Sequence, residues 1–278
     1  MVRGLLRPGT LVLAALFAVQ LSAASAAPLP ACAGGIEAAG IQSIRIEKNG
    51  DLILADGRAV HAEGLMLPAG SADHAPEYFV GAALNQLSVI THGRGATLAV
   101  IPPKEDRFGR LRAQIFLPDL SDDFWLQAAM LRRGLARVSI APDRRECASE
   151  LYTVEAQARA ARNGIWSNPA YAIRRPDATL LRDVGTFQIV EGRVLTATLK
   201  DGRAYLDFGP DWKTDFTVAI SPTDMRTFHT SGVDPRGYAG KNVRVRGYVQ
   251  RLDGPEIEVA VPEDIEVLPD TQLKPSTH

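Results

Sequence analysis

The chain has 278 residues, with 31 Lys and Arg against 32 Asp and Glu. That near-balance excludes a strongly basic nucleic-acid protein on bulk charge, and 46% apolar with 23% charged residues excludes wholesale disorder. Two cysteines exclude a disulfide-dense scaffold and a four-thiolate zinc site.

Residues 1–26 carry the pattern of a secretory signal peptide. Arg3 and Arg7 form a basic start, Leu11 to Leu21 a short apolar core, and Ala24-Ser25-Ala26 a small-residue cleavage site. The apolar run is shorter than the roughly 20 residues a membrane span needs. The expectation is an exported protein, periplasmic or secreted, with no membrane span after cleavage; an uncleaved anchor is the alternative. Cleavage after Ala26 leaves 29 basic and 32 acidic groups. In an oxidising compartment Cys32 and Cys147 are expected to pair, with lipidation of Cys32 as the rival reading.

The first strands are short. Residues 43–47 alternate with a period of two, and 52–54 follow the turn Lys48-Asn49-Gly50. A second turn, Asp56-Gly57, leads into a strand over 59–66. Pro76 opens a helix reaching about residue 87, with Phe79, Ala83, Leu84 and Leu87 on one face. Strands are predicted over 97–101 and 111–117, flanking Asp106-Arg107-Phe108-Gly109-Arg110. Two helices follow, over 124–133 with Gly134 as its stop and over 148–162 closed by Asn163-Gly164. Strands followed by helices on one side indicate a small α+β barrel.

A second region begins near residue 180, after Arg174-Arg175-Pro176-Asp177. Residues 27–182 carry 18 basic and 17 acidic groups; residues 183–278 carry 11 and 15. Strands are predicted over 187–199, 204–208, 216–220, 243–251 and 257–261, with a short helix over 222–228. Three strands, a helix and two strands is the order of a five-stranded OB barrel. The resulting division is signal peptide 1–26, first domain 27–180, OB-like domain 181–268 and a polar tail 269–278.

The first region resembles the staphylococcal nuclease-like, or thermonuclease, family. The resemblance rests on Asp106 to Arg110, on Trp125-Leu126-Gln127-Ala128-Ala129-Met130-Leu131-Arg132-Arg133-Gly134-Leu135-Ala136-Arg137-Val138, and on Glu155 to Trp166. A weaker match runs from Asp56 to Leu65. The fold implied is α+β and mainly β, a nuclease-type OB barrel with packed helices followed by a second OB-like barrel. The second region is similar to the OB-type extension of some exported members, through Tyr205-Leu206-Asp207-Phe208-Gly209-Pro210-Asp211-Trp212.

Active members of that family cut phosphodiester bonds with calcium. Carboxylates hold the hard cation, a glutamate activates water, and two arginines stabilise charge on the phosphoryl group. The resemblance places Arg110 at the second of these arginines and His61 at the first. Met66 falls at a calcium-binding acid, Leu67 at a Thr or Ala, and Ala69 at the glutamate; only Pro68 matches in that stretch. Neutral imidazole is no bidentate phosphate clamp, and Met and Leu are no calcium ligands. Asp51 is either a metal carboxylate after a one-residue register slip or a solvated turn residue. Glu63 or Asp73 are the candidates for a rescued carboxylate. Arg110 has a structural reading as well, as the partner of a surface carboxylate.

Other features have paired readings too. Arg132, Arg133 and Arg137 are a phosphate-facing patch or an ordinary charged helix face. Tyr205, Phe208, Trp212 and Phe216 are base-stacking groups or core anchors. His61, His74, His92, His229 and His278 show no metal-ligand spacing. The function expected is therefore an exported, thermonuclease-like protein with a degenerate site: a non-catalytic binding or structural module with no resident cofactor. Its expected partners are nucleic acid through the first domain or an envelope protein. The alternative is a calcium-dependent phosphodiesterase with a rearranged site.

Overall fold

The structure, a computed structural model, describes residue 1, residues 29–121, 123–211 and 213–269. The predicted signal peptide beyond Met1, Trp212, and the tail from residue 270 lie outside the described residues.

The first region contains β1 (Gly35–Ile46), β2 (Leu52–Leu54), β3 (Ala59–Ala62), β4 (Leu65–Met66), α1 (Tyr78–Thr91), β5 (Gly95–Val100) and β6 (Leu111–Phe116). It ends with α2 (Leu126–Arg132), β7 (Arg137–Val138) and α3 (Ala148–Ala160). Five strands close a barrel in the order β1-β2-β3-β6-β5, with β3 and β6 parallel. β1 is the strand that closes it, pairing with β2 at one end and β5 along its length. Register shifts between Ile36 and Ala38, Ala38 and Ile41, and Ser43 and Arg45 bend it around the core. The alternation at 43–47 shows only the last part of this strand, because the bulges upstream interrupt the period of two.

Alternate residues of these strands fill the interior. Leu52, Leu54, Val60, Leu98 and Ile115 are at most 1% exposed and pack with Leu126, Met130 and Leu151 of the helices. Gln127 is fully buried because it completes the sheet edge: its Nε2 donates to Ala113 O (2.9 Å), and Ile115 N donates to its Oε1 (3.2 Å). The predicted strand over 59–66 breaks at Gly64, whose φ is +88°. A Cβ there would lie 2.6 Å from Leu151 Cδ1, so only glycine lets α3 approach this closely. The break frees β4 to pair with β7.

Cys32 and Cys147 form a disulfide with a Cα–Cα distance of 5.1 Å and a sequence separation of 115. It ties the turn at Ala31–Ala33 to the start of α3. Reduction is expected to lower stability by about 2–5 kcal/mol, since it frees a long loop in the unfolded chain. Identical urea unfolding with and without reductant would contradict this.

The second region contains β8 (Phe187–Arg193), β9 (Thr196–Lys200), β10 (Arg203–Asp207), β11 (Thr217–Ile220), α4 (Met225–Thr230), β12 (Asn242–Leu252), β13 (Gly254–Glu258) and β14 (Ile265–Leu268). Pairing runs β9-β10-β11-β13-β12, and β12 also pairs with β8. Only Val194 and Leu195 separate β8 from β9, so the two are halves of one bent strand and the path returns on itself. The order and the parallel β11–β13 pair repeat the arrangement of the first barrel. β14, an added edge on β12, was not among the five predicted strands. Leu206, Phe216, Val218, Phe228, Val245 and Ile257 are fully buried inside.

The two regions share a charged and aromatic interface. Glu155 of α3 and Arg246 of β12 are 0% and 1% exposed and pair at 2.9 Å. Arg246 also reaches Glu266 of β14 (2.7 Å) and covers the ring of Tyr152 at 3.9 Å. Arg145 holds Glu263 (2.6 Å), and Tyr152 OH donates to Asp264 (3.2 Å). Burial pushes the Asp264 carboxyl up to about 7. Trp166, Tyr171 and Phe79 share one apolar cluster with Ile189 of β8. Among the described residues no helix is long and apolar enough to cross a membrane.

Candidate functional site

The turn before β2 places Asp51 at the barrel mouth. Glu47 O accepts from Gly50 N (2.9 Å), and Gly50 takes a φ of +87°. Asn49 fastens the carboxylate locally: its Nδ2 donates to Asp51 Oδ2 (2.6 Å), and Asp51 N donates to its Oδ1 (3.2 Å). Asp51 is 3% exposed, so it is not a solvated turn residue.

His61 comes to Asp51 from β3, which pairs with β2. Its Nδ1 lies 2.9 Å from Asp51 Oδ1, and a third of the side chain is exposed. Arg110 comes from the turn that opens β6, the parallel neighbour of β3. Its NH1 donates to Asp51 Oδ2 at 2.8 Å. Asp106 shapes the same turn, accepting from Phe108 N (2.8 Å), Arg110 N (3.0 Å) and Arg110 Nε (2.7 Å). Burial works against the Arg110 charge, and its hydrogen bonds to Asp51 and Asp106 outweigh that, leaving its pKa above the usual arginine value.

Both Asp51 oxygens are therefore engaged, one by His61 and the other by Arg110 and Asn49. Leu67 leans on the adjacent turn: a Cβ on Gly50 would sit 2.4 Å from Leu67 Cδ1. Met66 and Leu67 are half-buried, and Leu67 packs against the barrel core. Ala69 is exposed, and its N–H donates to Asp73 Oδ2 (2.8 Å). The donor set around Asp51 is thus an imidazole, a guanidinium and a carboxamide N–H beside an apolar leucine. Calcium requires several convergent oxygens, and this set does not fit it.

The two other candidate carboxylates do not join Asp51. Glu63 is held by Arg112 Nε (2.7 Å) and NH2 (3.1 Å), and Arg112 also binds Asp143 (2.6 Å). That hydrogen bond to Glu63 raises the Arg112 pKa, and Arg112 holds the Asp143 carboxyl low. Glu63 does line the same open cleft as His61 and Arg110. Asp73 lies elsewhere, gripped by Arg137 NH2 (2.8 and 2.7 Å) and Tyr171 OH (3.0 Å). The Glu63–Arg112 pair is a feature the sequence reading missed. No local signal carries it, because it depends on the parallel pairing of β3 with β6, in which His61 stands opposite Arg112.

Arg132, Arg133 and Arg137 form no open phosphate patch. Arg133 binds Asp123 (2.6 and 2.7 Å), Arg132 lies 3.9 Å from the same carboxylate, and Arg137 is 3% exposed. What remains on the cleft surface is Phe108, 67% exposed, with the guanidinium groups of Arg107 and Arg110 at 4.8 and 5.2 Å from its ring centre. In the second barrel Phe208 and Phe216 pack together at 5.0 Å, while Tyr205 lines a separate pocket. Among the described residues no group of three His, Cys, Asp or Glu is arranged to hold a metal ion.

No curated protein matches the chain. Residues 72–168 match the family model described as staphylococcal nuclease homologue. The matched stretch takes in Arg110 and the helices around it, and stops short of Asp51, His61 and Glu63. With the closed barrel carrying Arg110 at its mouth, that match makes the first barrel a staphylococcal nuclease-like domain.

Proposed function

We propose that this nuclease-like barrel is a non-catalytic binding or structural module of an exported protein. The observation that carries the reading is the state of Asp51: both carboxylate oxygens are bonded to nitrogen groups of the chain, one of them the Arg110 guanidinium. A calcium ion at Asp51 would have to displace Arg110 or sit against its positive charge. Arg110 in turn is bonded to two carboxylates, which compete with any phosphate for its donors. The Cys32–Cys147 disulfide is compatible with export.

One observation favours the enzymatic alternative, a calcium-dependent phosphodiesterase with a rearranged site: Asp51, His61 and Arg110 do converge at one cleft. Purified oxidised protein incubated with plasmid DNA and with RNA separates the two readings. The proposal expects both substrates to stay intact with calcium as with chelator. Calcium-dependent cleavage that Arg110→Ala abolishes would overturn it. For the module's ligand, Arg107 and the exposed Phe108 support a single-stranded nucleic acid, and a titration that shows no binding at low salt would remove that ligand in favour of an envelope protein.

A further inference from the structure

The second barrel carries a polar pocket on its outward face. Asp207 of β10 stands opposite Thr217 of β11, and Thr217 opposite Glu256 of β13. Strand alternation sends the neighbouring Leu206, Val218 and Ile257 into the core and this row to the other face. The row floors a pocket of about 390 Å³, walled by Lys200, Tyr205 and the β12–β13 hairpin tip, Leu252 and Asp253.

Glu256 is the unusual member. It is 5% exposed, yet makes no hydrogen bond or ion pair with any described residue. Asp207 beside it is satisfied, accepting from Thr196 Oγ1 (3.0 Å) and Thr217 Oγ1 (3.2 Å). Arg203, the nearby cation, lies 3.9 Å from Glu258 and acts on Glu256 only through its charge, without a hydrogen bond. Burial raises the Glu256 pKa above the usual carboxylate value. Glu256 lines the pocket, so a cation that enters can pair with a carboxylate whose charged form burial disfavours.

Charge and shape define what would enter. Three carboxylates, Asp207, Asp253 and Glu256, face one Lys200, so the pocket disfavours phosphate and favours a cation. The carboxylates do not converge as metal ligands. Leu252, 61% exposed, and the Tyr205 ring supply an apolar wall for a hydrocarbon stem and a face for a cation. We propose that this pocket binds a primary ammonium group on an aliphatic stem, carried either by a free diamine or by a lysine side chain of a partner protein.

Amide NMR titration of the intact oxidised chain tests this, with cadaverine and acetyl-Gly-Lys-Gly-amide as the two probes and pentanediol as the uncharged control. Saturable shifts are expected at Tyr205, Thr217 and Glu256, with dissociation constants of about 0.1–1 mM. Glu256→Gln, which keeps the shape, should weaken binding about tenfold or more, the loss expected for a hydrogen bond to a charged group. Asp253→Asn offers a milder second variant: the residue is exposed, and asparagine accepts its φ of +60°. A preference for cadaverine identifies a small-molecule ligand, and a preference for the peptide identifies a protein partner. The proposal is overturned if neither probe saturates by about 10 mM. It is equally overturned if pentanediol binds as well, or if Glu256→Gln binds as tightly with its spectrum otherwise preserved.

Discussion

Replacing Arg246 with methionine is expected to destabilise the protein by about 3–5 kcal/mol, the cost of leaving a buried charge without its partner. Arg246 joins α3 of the first barrel to β12 and β14 of the second. Glu155, its partner, is fully buried. Without Arg246 that carboxylate keeps only Val138 N (2.8 Å) and Arg159 NH1 (3.1 Å). Arg159 reaches only one of the two Glu155 oxygens, so it does not replace Arg246. The destabilisation should be partly relieved when Glu155→Gln is added, because the glutamine oxygen still accepts from Val138 and the buried negative charge is gone. Urea unfolding of the single and double variants measures both effects. A loss under ~1 kcal/mol in the single variant would show that the pair is not buried as described.

Trp166→Ala is expected to cost about 3–5 kcal/mol, the range for deleting a large buried aromatic. The indole is 7% exposed and packs with Phe79, Ala158, Ile165, Tyr171 and Ile189. Sequence alone assigns Trp166 to anchoring the last helix of its own domain against the sheet. It instead lies outside the main barrel core, in a satellite cluster that includes Ile189 of the second barrel. Its removal should therefore loosen the contact between barrels as well as the end of α3. The indole N–H finds no hydrogen-bond partner among the described groups, so the loss is one of packing. Trp166→Phe should consequently cost much less than Trp166→Ala. Equal unfolding midpoints for Trp166→Ala and the parent protein would contradict this placement.

The fold was legible where local pattern and tertiary role agree. Period-two alternation, the Asn-Gly and Asp-Gly turns and the stops at Gly134 and Gly164 located most strands and helices near their true positions. The misses have tertiary causes. The bulges in β1 hide its first eight residues from a period-two reading. Gly64 breaks a strand because Leu151 needs the space, and that contact spans 87 positions of sequence. β14 exists because β12 offers it an edge.

The candidate site was legible in its parts and not in its connections. The motif around Arg110 marks it, and the turn at Lys48-Asn49-Gly50 marks Asp51. That Arg110 binds Asp51 depends on parallel pairing of β3 with β6, which no local signal carries. For the same reason Glu63 was a candidate rescue carboxylate when it is in fact the partner of Arg112. Asp73 resembled a second candidate only through its nearness in sequence to Ala69; Arg137 and Tyr171 hold it elsewhere.

The central proposal is that Asp51, bonded to Arg110 and His61, does not hold calcium. It is tested most directly by the unfolding midpoint of the intact oxidised chain in calcium and in chelator. Extracellular calcium modules bind at about 0.1–1 mM, and a ligand at 100 times its dissociation constant adds about 2.7 kcal/mol of stability, so about 10 mM calcium reports a working site clearly. The midpoint is predicted to be the same in both buffers. A rise in calcium that Asp51→Asn abolishes would contradict the account.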